Sequence, residues 1–239
     1  MRMRKKKNGE RRLLAVNRLL LEKADGVIEH PDELLSMKGA PVYLEIGAGK
    51  GAFACNMAKI HKDAAYFAME KVSDCALLGC ELASEMKEDG RDNLRFIIDT
   101  ADNLSKIFAF GTIDRIFLNF SDPWTKKGYA KRRLTHKRYL SLYFNLLKDG
   151  GKITFKTDND ELFDFSLTQF SDMGISLDKV TRDLHKSEYN VGNVMTEYEK
   201  SFSEAGKSIN MLEATKPCGF NPEIPKELQK DYDKSIYFK

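Results

Sequence analysis

The chain has 239 residues, 42% of them hydrophobic and 31% charged, with a formal net charge of +3; this length carries one large α/β domain and is short for two. No run approaches the roughly 18 apolar residues of a membrane span and no apolar stretch backs the basic N-terminus, so a cytoplasmic protein without a membrane partner is expected. Cys55, Cys75, Cys80 and Cys218 show no CxxC spacing and the four histidines are scattered, which predicts buried reduced thiols and no metal.

With so small a net charge, affinity for nucleic acid has to come from clustering. Residues 1–12, MRMRKKKNGERR, hold seven Lys or Arg against Glu10 alone. Such a run is either a solvated tail or an arm that folds onto RNA. A helical pattern over Leu13 to Ala24 and a turn-rich linker, Asp25 to Met37, complete a leading segment of residues 1–40.

Val42 to Phe53 reads VYLEIGAGKGAF, a β-favouring run to Ile46, then Gly47, Gly49 and Gly51, then an amphipathic stretch from Ala52 to Ile60. Strand, glycine turn and helix let backbone approach a ligand closely and aim free N–H groups at it. A Walker loop is excluded because Leu44 and Gly51 stand where its first glycine and its Ser or Thr belong, and a dinucleotide loop needs one residue more in its last interval. Preceded by Glu45, the GxGxG form resembles motif I of the Rossmann-like methyltransferases that bind S-adenosylmethionine.

Ala64 to Met69 is a second strand ending in Glu70, about 20 residues beyond the loop, where an acid accepts both hydroxyls of a ribose. Ser73 to Lys87 is a helix with Ser73 as its expected N-cap. Asn93 to Ile98 is a third strand, delivering Asp99, Thr100, Ala101 and Asp102 to the position of an adenine; pattern alone does not choose among them. Ile113 to Phe120 is a buried strand that carries Ser121, Asp122, Pro123 and Trp124 to its C-terminal edge, where open parallel sheets bind ligands. Proline holds the preceding Asp122 extended, and Trp124 can shield or stack on a flat ring.

Lys126 to Arg138 then contains seven Lys or Arg and no acid, with Tyr129 and His136 interleaved, a run that predicts phosphate binding. Gly151 to Thr157 is a strand whose end brings Asp158 and Asn159 to the same edge, either as site groups or as the cap of a helix over Glu161 to Met173. Ile175 to Leu184 and Glu197 to Phe202 read as closing strands, joined by a loop, His185 to Met195, expected to be mobile and to order on the substrate. Residues 216–239 are a tail without an assigned role.

LEIGAGKG, Glu70, LNFSDPWTKKGYAKRRL, FKTDN from Phe155 and TEYEKSF from Thr196 stand in the order found in the bacterial tRNA (guanine-N7)-methyltransferases, which the chain resembles from its RMRKK start to about Glu213. The resemblance implies an α/β, Rossmann-like class I methyltransferase domain over residues 41–215, with a mostly parallel sheet of about seven strands and helices on both faces. It implies a cytosolic enzyme, monomer or homodimer, that moves a methyl group from S-adenosylmethionine to N7 of guanine 46 in the tRNA variable loop. The cofactor site expected from loop and resemblance together comprises Glu45, Gly47, Gly49, Gly51, Glu70, Lys71, Thr100, Ala101, Asn119 and Asp122, with Asp122 also catalytic. Lys126, Asp158, Thr196, Glu197, Tyr198 and Glu199 are carried over as substrate-binding, and the basic run adds Arg132 and Arg133. Two departures stand out: Thr100 replaces the usual Asp, and Lys7-Asn8-Gly9 replaces an early aromatic residue.

N7 of guanine carries an in-plane lone pair, so it attacks a methyl group without prior deprotonation and the enzyme's work is mainly alignment. Asp122 suits orientation of the base through its N1–H and amino group, with general-base catalysis second. Two alternatives remain at this level. Ser-Asp-Pro-Trp is similar to the Asp/Asn-Pro-Pro-aromatic motif of adenine-N6 enzymes, with Trp124 in place of the second proline. A tRNA-binding module without catalysis is the other, against which intact Gly47, Gly49, Glu70 and Asp122 speak.

Overall fold

The computed structural model describes residues 6–21, 26–86 and 92–229. Its strands are β1 (Val42–Ile46), β2 (Ala65–Met69), β3 (Leu94–Ile97), β4 (Ile113–Asn119), β5 (Leu147–Thr157), β6 (Lys179–Thr181) and β7 (Asn210–Thr215), and they form one sheet in the order β3-β2-β1-β4-β5-β7-β6. β1 to β5 run parallel, while β7 pairs antiparallel with both β5 and β6. Strand order reverses between β1 and β4, which opens a crevice at their carboxyl ends.

The helices are α1 (Gly9–Ala15), α2 (Ala52–Ile60), α3 (Ser73–Glu85), α4 (Leu104–Ile107), α5 (Lys137–Leu146), α6 (Asp160–Asp172) and α7 (Glu197–Glu204). Side chains alternate across the sheet, so each strand feeds two cores. Tyr66, Ala68, Phe96 and Phe117 pack with α2, α3 and the N-terminal residues Val16 and Leu19, while Leu44, Phe67, Leu118 and Phe155 pack with α5 and α6 on the other face. β2 is buried at all five positions, the mark of a strand covered on both sides.

One close approach sets the loop against this core. A Cβ on Gly79, in the middle of α3, would lie 2.6 Å from the Phe96 ring, and one on Gly51 would lie 2.9 Å from the Gly79 Cα. Gly79→Ala gains about 1 kcal/mol of helix propensity. It also forces fully buried Phe96 to move, and overpacking of a filled core costs about 1–3 kcal/mol. The clash outweighs the gain over most of that range, so Gly79→Ala is expected to lower unfolding stability by up to about 2 kcal/mol in urea titration, and a variant more stable than the parent would refute this packing.

Four expectations need correction. Glu197 to Phe202 is the helix α7, because Thr196 and Glu199 form a reciprocal capping box: the Thr196 side chain accepts from the Glu199 N–H, and the Glu199 carboxylate accepts from the Thr196 N–H. The strand that closes the sheet is instead Asn210–Thr215, buried at five of its six positions, and only Lys179–Thr181 of the stretch Ile175 to Leu184 is extended in the sheet. The helix expected from Leu13 begins at Gly9 and ends at Ala15, since the chain then turns through Asn17–Leu19 so that Leu20 can bridge to Phe96. Ser73 is the first helical residue of α3 rather than its cap, and Val72 holds the cap position.

Residues 1–5 of the basic arm and residues 230–239 of the tail lie outside the described residues. Arg12 is ion-paired with Glu81 at 2.6 Å, and Ile224 and Leu228 are buried in the main core. Among the described residues, no helix is long and apolar enough to cross a membrane, and no group of three or more His, Cys, Asp or Glu is placed to hold a metal ion.

Candidate active site

β1 ends at Ile46, and the chain turns through Gly47, Gly49 and Gly51 at φ values of 83°, 57° and 76°. All three are left-handed conformations that favour glycine. Gly47 N–H and Ala48 N–H both donate to the Met69 carbonyl, at 2.8 and 2.9 Å. Glu70, at the tip of β2, accepts from Gly49 N–H at 3.0 Å and from Val72 N–H at 2.8 Å. It therefore ties the glycine loop to the neighbouring strand, and each oxygen keeps acceptor capacity for a further donor.

At the switch point the side chains of Glu45 and Asn119 meet. The Asn119 amide donates to one Glu45 oxygen at 3.0 Å, while the other Glu45 oxygen, Asn119 Oδ1 and Ser121 Oγ are buried with no partner among the described residues. Buried acceptors without donors are costly and rare, so this cluster fits a ligand that brings N–H groups. Burial pushes the Glu45 carboxyl up to about 7, with the Asn119 hydrogen bond and the charge of Lys156 offsetting part of the rise.

Between its ordinary value and about 7, folded Glu45 keeps a proton that the unfolded chain has released. Stability of the ligand-free protein therefore falls as pH rises through that window. Glu45→Gln removes this dependence, and its amide can donate to Asn119 Oδ1. Urea unfolding at pH 8 should show the variant more stable by a few kcal/mol, roughly 2–3, with the difference vanishing near pH 4; a difference independent of pH would exclude Glu45 as its source.

β4 delivers the next group. Phe120 and Trp124 both have positive φ, 49° and 42°, so the chain leaves the strand through a strained turn. Asp122 is exposed, and its carboxylate lies 3.6 Å from Lys71 Nζ. Trp124 is flanked by Lys71 and Arg132 at 6.0 and 5.0 Å from its ring and meets Tyr129 edge-on.

The basic run does not present all seven cations to solvent. Lys126, Lys127, Lys131, Arg132 and Lys137 are exposed. Arg133 is 9% exposed and donates to the Pro123 and Trp124 carbonyls, so its guanidinium faces the turn rather than solvent. Arg138 pairs with Asp102 at 3.0 Å. An acid absent from the run is supplied by the chain after β3, beyond the reach of local pattern. That contact, with Tyr139 donating to the same carboxylate, commits Asp102. Asp99 accepts from Thr100 N–H and from Asn103, Thr100 is exposed and Ala101 is buried.

Asn159 caps α6 by accepting from Leu162 N–H at 2.7 Å, and Asp158 lies 3.5 Å from Lys207. Helix α7 brings Glu197 to 3.8 Å from Lys50 of the glycine loop and stacks exposed Tyr198 on Phe120 with ring centroids 6.5 Å apart. Glu199 points inward. Its carboxylate is fully buried and takes Lys156 at 2.6 Å, His185 at 2.9 Å and Asn193 at 2.6 Å. Burial raises its carboxyl, but those three partners outweigh it and the group is held below its ordinary value.

Sequence reasoning missed Lys156, His185 and Asn193. The one available signal was a lysine between Phe155 and Thr157 within the predicted strand Gly151 to Thr157. The structure thus brings the glycine loop, Glu70, Asn119, Asp122 and the start of α7 to one sheet edge, with the exposed cations beside them.

Residues 39–212 match a family described as putative methyltransferase. A tRNA (guanine-N(7)-)-methyltransferase of Lachnoclostridium phytofermentans is 45% identical over 174 residues, covering 73% of this chain and 80% of that protein. Among solved structures, an antibiotic-related methyltransferase aligns with a TM-score of 0.56 at 18% identity over 82% of this chain and 98% of its own. The 16S rRNA methyltransferase KamB aligns with a TM-score of 0.57 at 11% identity, over 78% and 92%. At these identities both share the fold alone, the Rossmann-like class I methyltransferase fold. The chain belongs to the tRNA (guanine-N7)-methyltransferase family and is a methyltransferase whose methyl donor is S-adenosylmethionine.

Proposed function

We propose that this enzyme methylates N7 of guanine 46 in the variable loop of tRNA, with Asp122 orienting the base. The observation that carries the reading is the placement of Asp122, an exposed carboxylate on a strained turn, 3.6 Å from the Lys71 that follows Glu70 and ahead of a run with five exposed cations. The similarity to the Lachnoclostridium enzyme supports the substrate.

Glu45, Asn119, Gly47, Gly49, Gly51, Glu70, Lys71, Thr100, Ala101 and Asp122 hold the donor. Glu45 and Asn119 are suited to its ammonium group, since their unpartnered oxygens need N–H donors. Glu70 is suited to ribose hydroxyls while it keeps the loop in place. The bound donor supplies an electrophilic methyl group on a sulfonium. Asp122 accepts hydrogen bonds from guanine N1–H and its amino group, which sets N7 in line with the methyl group and favours the positive charge that the ring acquires. Lys126, Lys127, Lys131 and Arg132 take phosphates. Asp158, Glu197 and Tyr198 are assigned to the substrate side, and buried Thr196 and Glu199 act on it through the cap and shape of α7 and its loop.

The test is methyl transfer from labelled S-adenosylmethionine to unmodified tRNA, and to the same tRNA with guanine 46 replaced by adenine. The expected product after nucleoside digestion is 7-methylguanosine from the first and none from the second. A methylated adenine amino group, or equal transfer to both tRNAs, would sink the proposal.

A further inference from the structure

We propose that Arg133 is a positioning residue that clamps the Asp122-Pro123-Trp124 turn in its working shape, and is not a ligand for tRNA phosphate. The inference rests on the reading of Asp122 given above. Arg133 lies in a run whose composition assigns every cation to phosphate, yet its neighbours Lys131 and Arg132 are exposed and it is not. Two of its donors are spent on consecutive carbonyls, Nε on Pro123 at 2.9 Å and Nη2 on Trp124 at 3.2 Å. Its guanidinium carbon sits 4.4 Å from the centroid of the Phe165 ring, on α6. The Arg133 backbone is itself fixed, its N–H donating to Ala130 and its carbonyl accepting from His136 N–H.

The turn needs such a clamp. Trp124 holds a φ of 42°, a conformation that costs an L-residue steric strain and persists only where the surroundings enforce it. The planar fork of one guanidinium spans two successive carbonyls and stacks on a ring at the same time; an ammonium does neither. Released from the fork, Trp124 relaxes towards ordinary φ and swings the Asp122 carboxylate, two residues before it, off the base.

The chain has one tryptophan, Trp124, so intrinsic fluorescence reports the turn directly. In the full-length protein, Arg133→Lys keeps the charge that a phosphate contact needs and loses the fork. The expected result is tRNA affinity within about twofold of the parent with an unchanged salt slope, shifted tryptophan emission, and kcat lower by about tenfold to a hundredfold as misalignment of the base predicts. Arg133→Met should share the shifted emission and keep the salt slope, whereas the control Lys131→Ala should reduce the slope by about 0.9 with parental emission.

Parental emission and rate in Arg133→Lys overturn the proposal, as does a slope loss of about 0.9 with parental emission in Arg133→Met. If Arg133→Met does not fold, the lysine variant decides alone. Failure of the underlying reading looks different: Asp122→Ala would transfer methyl groups at the parental rate, while the emission shift of Arg133→Lys would still support the clamp.

Discussion

Asp122→Ala is expected to lower methyl transfer by about 10²–10³-fold, the effect of removing a preorganised group that meets charge developing in the reaction, while tRNA affinity stays within about twofold and the unfolding midpoint does not move. The stability part follows from the geometry. The only ion pair of Asp122 among the described residues is with Lys71 at 3.6 Å, and both side chains are more than half exposed, so the pair contributes at most about 1 kcal/mol and little of that survives salt. Asp122→Asn separates the guanine reading from an amino-nitrogen methyltransferase. A guanine Watson–Crick edge offers two donors, and Asn turns one acceptor into a donor that meets one of them, so the rate should fall almost as far as with Ala. An adenine amino group needs only one acceptor, and Asn would keep most of the activity. Single-turnover transfer with both variants decides: a fully active Asp122→Ala enzyme removes the residue from the mechanism.

Glu199→Ala carries the largest expected loss of stability, about 3–5 kcal/mol, because it leaves a buried lysine without its counter-charge. The Lys156 and Glu199 side chains are 4% and 0% exposed and meet at 2.6 Å. Burial already lowers the pKa of Lys156, with Glu199 and Glu45 countering, so removal of the carboxylate leaves an ammonium that must deprotonate or draw in water. Lys156 retains Asn193 and the Val194 carbonyl, but neither brings charge. The same substitution also removes the α7 capping box and two partners of the loop, His185 and Asn193. Replacing both residues together, Lys156→Met with Glu199→Leu, should recover much of the loss, since an apolar pair of similar volume avoids the desolvation cost. Urea titration of the single and double variants measures this directly, and a single-variant loss below about 1 kcal/mol would mean that the pair is solvated.

Glu197 to Phe202 reads as a closing strand, although Thr196 and Glu199 carry a capping-box spacing; the hydrogen bonds of that box decide for a helix. The sequence admits Asn159 as site group or cap, and its bond to Leu162 N–H makes it the cap. In both places the deciding signal spans four residues and is present in the chain.

What the chain determined by itself is local: the glycine loop with its acid in front, the acid at the tip of the next strand, and the aspartate before proline at the tip of β4. Steric and hydrogen-bonding demands within a few residues dictate those features. The tertiary structure alone decided which polar groups meet across the sheet. Glu45 finds Asn119 74 residues away, Lys156 finds Glu199 43 away, and Arg138 leaves the basic run for Asp102. It also turned Arg133 towards the carbonyls of the turn while Arg132 stayed in solvent. Residue type sets a side chain's charge and reach, but whether that charge meets water, a carbonyl or a carboxylate depends on which strands and helices pack around it.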